Sequence, residues 1–207
     1  MWLLIKGMNY EIVLATNNKH KLKEVREILS PHGIVVYGLE DLNLHPGEVD
    51  ENGATYFENA LLKAQSVQKL TKLPIIADDS GLEITALNHE PGLFSARYAL
   101  AHHGHTQAIK DILERLNNKD RSAVFVCSIC LLNVDDHPLQ FEARVAGHIA
   151  LETQGESGFG YDPIFIEDSA MMTYAEMPRE IKNKLSHRGR ALYKLLTYLK
   201  VNQLIKR

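Results

Sequence analysis

"PIIADDSGLE", residues 74–83, decides how the chain is read. An apolar run from Pro74 to Ala77 meets two adjacent carboxylates, Asp78 and Asp79; Ser80 and Gly81 follow, and Leu82 resumes the apolar pattern. A short continuous apolar run bounded by turn-forming residues marks a buried strand. On that reading the two acids stand at the strand's end. Neighbouring strand residues point to opposite faces, so Asp78 and Asp79 have different jobs. One reaches a ligand pocket, and the other braces backbone or a helix start. Asp and Ser ahead of a glycine also make an ordinary turn cap, and the stretch alone supports both readings.

Upstream, Tyr10–Thr16 reads as another buried strand and residues 34–39 as a second. Between them, Leu22, Val25, Ile28 and Leu29 recur at helical spacing, and Ser30-Pro31-His32-Gly33 ends that helix. A polar, acidic loop, residues 45–55, leads to a helix with Phe57, Ala60, Leu61, Ala64 and Gln68 on one face. Downstream, residues 82–87 continue the quoted strand or form its hairpin. A helix follows with Ile109, Ile112, Leu113 and Leu116 in register, then strands near 123–132 and 139–146. The glycine-rich residues 155–167 feed a short strand, and a last helix from about Gly189 presents Leu192, Leu195, Leu196 and Leu199. Strands interleaved with helices predict an α/β fold. The strand-rich middle argues against an all-parallel sheet, so the expectation is an elongated mixed sheet flanked by helices, with two lobes around a central cleft.

The 207 residues suit one compact or bilobed unit, 1–207, and 45% hydrophobic with 24% charged residues is the balance of a soluble globule. A net charge of −3 gives no general attraction to nucleic acid. Trp2–Ile5 is too short an apolar run for a signal-peptide core or a membrane span; it reads as an extension, with Met8 as an alternative start. Cys127 and Cys130 lie three apart on a strand, hence on opposite faces. They are expected to be packed thiols in a reducing, cytoplasmic compartment.

Four constellations carry chemistry. Thr16-Asn17-Asn18-Lys19-His20-Lys21 is a strand-to-helix turn: it is either a capped helix with solvated lysines or an anion cradle made by the helix start and its cations. The acids Asp50, Glu51, Glu58, Asp78 and Asp79 have the oxygen chemistry that hard divalent cations take alongside substrate phosphates. In Gly158-Phe159-Gly160-Tyr161-Asp162-Pro163 the glycines permit close approach and Phe159 can stack on a planar base; the alternative is a turn whose rings fill the core. Residues 182–190 set cations around Ser186-His187, either a ligand contact or a solvated helix start. His102-His103-Gly104-His105 lacks a partnering acid or cysteine in register and is not read as a metal site.

Taken in order, these strings are similar to the inosine/xanthosine triphosphate pyrophosphatase family, which removes non-standard purine nucleoside triphosphates. The matching residues are Thr16-x-Asn18-x-x-Lys21, Glu51-x-Gly53, Glu58-Asn59-Ala60-x-x-Lys63-Ala64 and Ala77 to Leu82. They continue with Pro91-Gly92-x-x-Ser95-Ala96-Arg97-Tyr98, Gly158 to Pro163 and Lys182-x-x-x-Ser186-His187-Arg188. Asn17 stands where many members carry glycine; asparagine also tolerates the left-handed region. The resemblance implies hydrolysis of a nucleoside triphosphate to monophosphate and pyrophosphate, Mg²⁺ dependence and a homodimer. It places the triphosphate on Thr16 to Lys21, Mg²⁺ on Glu51 and Asp79, and the base for the attacking water on Asp79. Lys63 would join Lys21 in neutralising phosphoryl charge. Ser80, Phe159, Gly160, Tyr161, Asp162, Lys182, His187 and Arg188 would contact substrate, and donors among them would favour the O6 acceptor of hypoxanthine or xanthine over the amino group of adenine. A metal-dependent hydrolase with another base preference and a non-catalytic nucleotide-binding module are the competing classes. Acids at 51 and 79 argue against the last, because binding alone needs no water-activating carboxylate.

Overall fold

The computed structural model describes residues 10–205; the Trp2–Ile5 extension and Met8 lie outside the described residues. The element order is β1 (Tyr10–Leu14), α1 (Lys19–Leu29), β2 (Ile34–Tyr37), α2 (Tyr56–Gln68), β3 (Ile75–Ile84), α3 (Ser95–Ala101), α4 (His105–Arg115), β4 (Ser122–Leu132), β5 (Leu139–Ile149), β6 (Phe165–Glu167), α5 (Arg179–Leu185) and α6 (His187–Val201). Six strands form one mixed sheet in the order β2-β1-β3-β4-β5-β6. β1 runs parallel to β2 and β3, and every later pairing is antiparallel. The α/β expectation and the mixed sheet therefore hold.

Three long strands, β3, β4 and β5, carry two packing regions. At one end, Ile76, Ile129 and Leu131 pack with Val25 and Ile28 of α1 and Leu192 and Leu195 of α6 on one face. On the other face Val13, Ile75 and Ala77 meet Ala60, Ala64 and Val67 of α2. At the far end Leu82, Ile84, Phe125 and Val145 pack with Ile109 and Ile112 of α4 and with Phe165 and Tyr174. Cys127 belongs to the α1–α6 face and Cys130 to the α2 face; both are buried and free.

The quoted stretch differs from its sequence reading in one respect that matters. Asp78 and Asp79 are not at a strand end but in the middle of β3, which continues to Ile84 before turning. What ends there is β1. It pairs with β3 only through Val13–Ile75 and Leu14–Ile76, with one further bond from the Ala15 N–H to the Ile76 carbonyl at 2.8 Å. Farther along, Ser95 Oγ accepts the Leu82 N–H at 2.9 Å, and a bridge joins Glu83 to Pro91. Between those two covers the edge of β3 opens, and the two acids stand in the gap. The continuous pairing of β3 with β4, from Ile75–Leu132 to Ile84–Ala123, holds the gap rigid.

Three other expectations shift. α2 buries Ala60 and Ala64 as expected and adds Tyr56, Asn59 and Val67, while Phe57 and Leu61 are half-buried and Gln68 is exposed. β5 runs on through His148 and Ile149. The basic stretch 182–190 contains the end of α5 and the start of α6, with Ser186 capping α6 through its bond from the Gly189 N–H.

Candidate active site

The gap in the sheet opens into a cleft of about 600 Å³. Its walls include Thr16, Asn17, Asn18 and Lys21 from the β1–α1 turn, Glu51 and Lys63, Asp79 and Ser80 from β3, Phe159 to Asp162, and His187 and Arg188. Lys19, His20 and Lys182 are not among these walls. Lys19 is exposed at the start of α1. His20 reaches the site through its ring, stacked on Phe159 at 5.2 Å. Lys182 is buried behind Phe159, its ammonium 5.0 Å from the ring centroid.

The β1–α1 turn is more fully capped than its sequence suggested. Thr16 Oγ1 accepts the Asn18 N–H, and Asn18 Oδ1 accepts the N–H groups of His20 and Lys21. With those donors engaged, the turn offers an anion mainly the helix dipole and its lysines.

The two acids of β3 face opposite sides of the sheet and live in opposite electrostatic settings. Asp78 takes Lys21 from α1 at 2.9 Å and Arg188 from α6 at 3.1 Å. Burial pushes its pKa up, but Lys21, Arg188 and Lys63 outweigh burial and hold the carboxyl below the ordinary range. Asp79 faces α2, where Lys63 Nζ lies 2.9 Å from its Oδ1. Here burial wins over Lys63 and Lys21, and the pKa is raised. Two carboxylates driven apart in this way can divide the work, one a fixed charge and the other a proton acceptor. The same Lys63 ammonium is 2.9 Å from Glu51 Oε2, so Glu51 and Asp79 converge on one point.

This convergence also tests whether a divalent cation fits. Glu51 and Asp79 present hard oxygen donors around a position where positive charge is already accommodated by Lys63. Among the described residues no third His, Cys, Asp or Glu joins them. A two-carboxylate set with an open side suits a cation such as Mg²⁺, which keeps waters and takes substrate phosphates.

Behind the cleft runs a buried chain of ion pairs. Lys182 Nζ is 2.6 Å from both Glu24 and Asp162, and Arg188 joins Glu24 at 2.7 Å to Asp78. Arg188 also donates to Ser80 Oγ at 3.1 Å. Asp162 in turn accepts the Phe159 N–H at 2.7 Å, which fixes the glycine loop, and the Tyr161 hydroxyl donates to the Ser95 carbonyl at 2.9 Å. Sequence reasoning missed Glu24. Its signal was a lone acid inside the apolar stripe of Val25 and Ile28, where an unpaired charge is not tolerated.

His187 is buried and stacks on Phe125 at 4.2 Å. Burial, then the charges of Arg188 and Lys182, push its pKa well below the ordinary value of 6.5. The folded imidazole therefore stays neutral while the unfolded one protonates below about pH 6.5, so stability falls as the pH drops through that value by up to about 1.4 kcal/mol per pH unit. Burial also lowers His32 and His105, which contribute in the same direction. A His187→Phe protein, which keeps a ring against Phe125, is expected to lose one proton's share of this acid sensitivity. Urea unfolding at about pH 7.5 and pH 5.5 measures the slope, and an unchanged slope contradicts the neutral assignment.

The Ham1 family model matches residues 12–198. The dITP/XTP pyrophosphatase of Treponema denticola is 41% identical over 195 residues, covering 92% of this chain and 98% of the relative. That of Thermus thermophilus is 43% identical over 195 residues, covering 93% and 92%. Two solved structures superpose along most of the chain. A HAM1 protein from Coxiella burnetii gives a TM-score of 0.79 at 43% identity, covering 91% of this chain and 98% of that one; the Staphylococcus aureus Ham1 protein gives 0.80 at 40%, covering 93% and 99%.

Proposed function

The chain belongs to the Ham1 family, and from that premise we propose that it hydrolyses the non-standard purine nucleoside triphosphates dITP, ITP and XTP to the monophosphate and pyrophosphate, removing them from the nucleotide pool. The observation that carries this reading is the meeting of Glu51 and Asp79 on the Lys63 ammonium, inside a cleft whose far wall is the Phe159 ring. Mg²⁺ is the proposed cofactor, held by Glu51 and Asp79; when bound, it would neutralise charge on phosphoryl oxygens.

The chain's own residues do the rest. Asp79, its pKa raised by burial, accepts the proton of the water that attacks the α-phosphorus, and pyrophosphate leaves. Charge then spreads over the phosphoryl oxygens, and Lys21 and Lys63 stand where cations are needed. The β1–α1 turn, Thr16 to Lys21, is proposed to seat the triphosphate, with Asn17 and Asn18 as its polar lining and Lys19 and His20 at its edge. Phe159 offers a stacking face to the base. Ser80, Gly160, Tyr161, Asp162, His187 and Arg188 would line the nucleoside. An ammonium has three N–H donors. Lys182 commits two to Glu24 and Asp162 behind the Phe159 ring, so its third is proposed to reach an O6 acceptor only once that ring turns to stack on the base. Adenine presents an amino group at that position, and a buried donor facing another donor is strongly unfavourable.

Residues 1–207 are proposed to act as a single bilobed unit and as a homodimer in the cytoplasm, with nucleotides rather than nucleic acid as partners. Among the described residues no helix is long and apolar enough to cross a membrane.

A panel of triphosphates with separate detection of pyrophosphate and phosphate tests the reading. ITP, dITP and XTP with Mg²⁺ are expected to yield pyrophosphate and no single phosphate, with ATP slower by about 10²-fold or more. Release of phosphate from ITP, or equal rates without Mg²⁺, contradicts it.

A further inference from the structure

Asn59 is 1% exposed in the first turns of α2, and nothing above gives it a role. Its side-chain amide spans two segments that meet at the site. Oδ1 accepts the Gly53 N–H at 2.8 Å, and Nδ2 donates to Asp79 Oδ2 at 3.3 Å. The orientation follows from chemistry, since a backbone N–H only donates and a carboxylate only accepts. Turning the amide round would leave two mismatched polar groups in a buried place.

Gly53 lies two residues beyond Glu51. A Cβ there would meet Glu58 Cβ at 2.6 Å and Asn59 Oδ1 at 2.8 Å, so only glycine lets the loop settle on the helix this closely. Two links therefore join the carboxylate-bearing arms. Lys63 holds their charged ends, taking Glu51 Oε2 and Asp79 Oδ1. Asn59 ties the backbone of the Glu51 loop, at Gly53, to the other oxygen of the same Asp79 carboxylate. The lysine link is electrostatic and partly exposed, with the Glu51 side chain 41% accessible. The asparagine link is buried and directional, and so can set an angle.

We propose that Asn59 is a positioning residue for this reaction: its amide fixes the rotation of the Asp79 carboxylate and, through Gly53, the placement of the Glu51 loop against it. The inference rests on the reading of Asp79 as proton acceptor. Asn59 touches neither the water nor the phosphates; it aims the group that does.

The experiment compares Asn59→Asp with Asn59→Leu. Asn59→Asp keeps an acceptor for Gly53 but replaces the donor to Asp79 with a second carboxylate, whereas Asn59→Leu removes both bonds. Both are expected to lose about tenfold or more in kcat for ITP at saturating Mg²⁺, with KM changed less than about threefold. Amide hydrogen exchange at Gly53, which needs neither metal nor nucleotide, is expected to stay slow in Asn59→Asp and to quicken by about tenfold or more in Asn59→Leu. A purely structural brace predicts near-normal kcat for Asn59→Asp, and that result overturns the proposal. So does unchanged Gly53 exchange in Asn59→Leu. If Asn59→Asp fails to fold, Asn59→Ser takes its place in the kinetic arm, with the same expected loss and with wild-type kcat again overturning the proposal. If the unmodified protein releases no pyrophosphate from ITP, dITP or XTP, it is the functional reading that fails, and the exchange arm still decides whether Asn59 holds the loop.

Discussion

An Asp79→Asn protein is expected to fold normally and to release pyrophosphate from ITP about 10³-fold more slowly than the unmodified enzyme, within the roughly 10²–10⁴-fold range of a positioned general base. The substitution keeps the shape of the side chain and removes its charge and its capacity to accept a proton. Folding should be spared for a specific reason. Burial outweighs Lys63 in setting the Asp79 pKa, so the ionised form is the one the folded site disfavours. A neutral amide relieves that burden but sets its NH2 against the Asn59 amide or the Lys63 ammonium, so the two effects oppose and the unfolding temperature should change little. Asp78→Asn is the contrasting case. There Lys21 and Arg188 favour the ionised carboxylate over burial, so neutralising it should destabilise the protein. The comparison needs only thermal unfolding and a pyrophosphate assay on the two variants. Turnover by folded Asp79→Asn within tenfold of the unmodified rate would remove Asp79 from the base role.

The contrast also shows which part of the site a single sequence reveals. That Asp78 and Asp79 face opposite ways follows from strand periodicity and needed no structure. Their place in the strand was misread, because Asp-Asp-Ser-Gly has the composition of a turn and nothing local shows that β4 pairs along the whole of β3. The gap that makes the acids accessible is created by the early end of β1, a property of a different segment. Periodicity found Ala60 and Ala64 on the buried face of α2 but passed over Asn59, a polar residue that is buried because it has partners. Ser186 looked like part of one basic run because its role, capping α6 just after α5 ends, depends on backbone geometry. Glu24 and Lys182 are 158 residues apart, and only the fold brings them together.

The largest expected loss of stability follows from that hidden network. Arg188→Met should unfold about 3 kcal/mol more easily, the lower end of the roughly 3–5 kcal/mol that follows removal of one partner from a buried pair. The lower end applies because the network is shared. Three carboxylates, Asp78, Glu24 and Asp162, face three cations, Lys21, Lys182 and Arg188. Without Arg188, Asp78 keeps Lys21 and Glu24 keeps Lys182, so no carboxylate is stranded, but the cluster carries one uncompensated negative charge. Methionine replaces much of the stem's packing, so charge imbalance rather than a cavity should account for most of the loss. For a chain of this size the change corresponds to an unfolding temperature lower by about 6–12 °C. The pH dependence separates charge from packing. In the variant, Asp78 and Glu24 lose an opposing charge and their folded pKa values rise toward the unfolded ones. The stability that depressed carboxyls supply, fully present above the unfolded pKa, is then smaller, and the gap to the unmodified protein should narrow as the pH falls below that value and through the folded ones. A gap that stays constant from about pH 7.5 down to about pH 2 would point to lost packing.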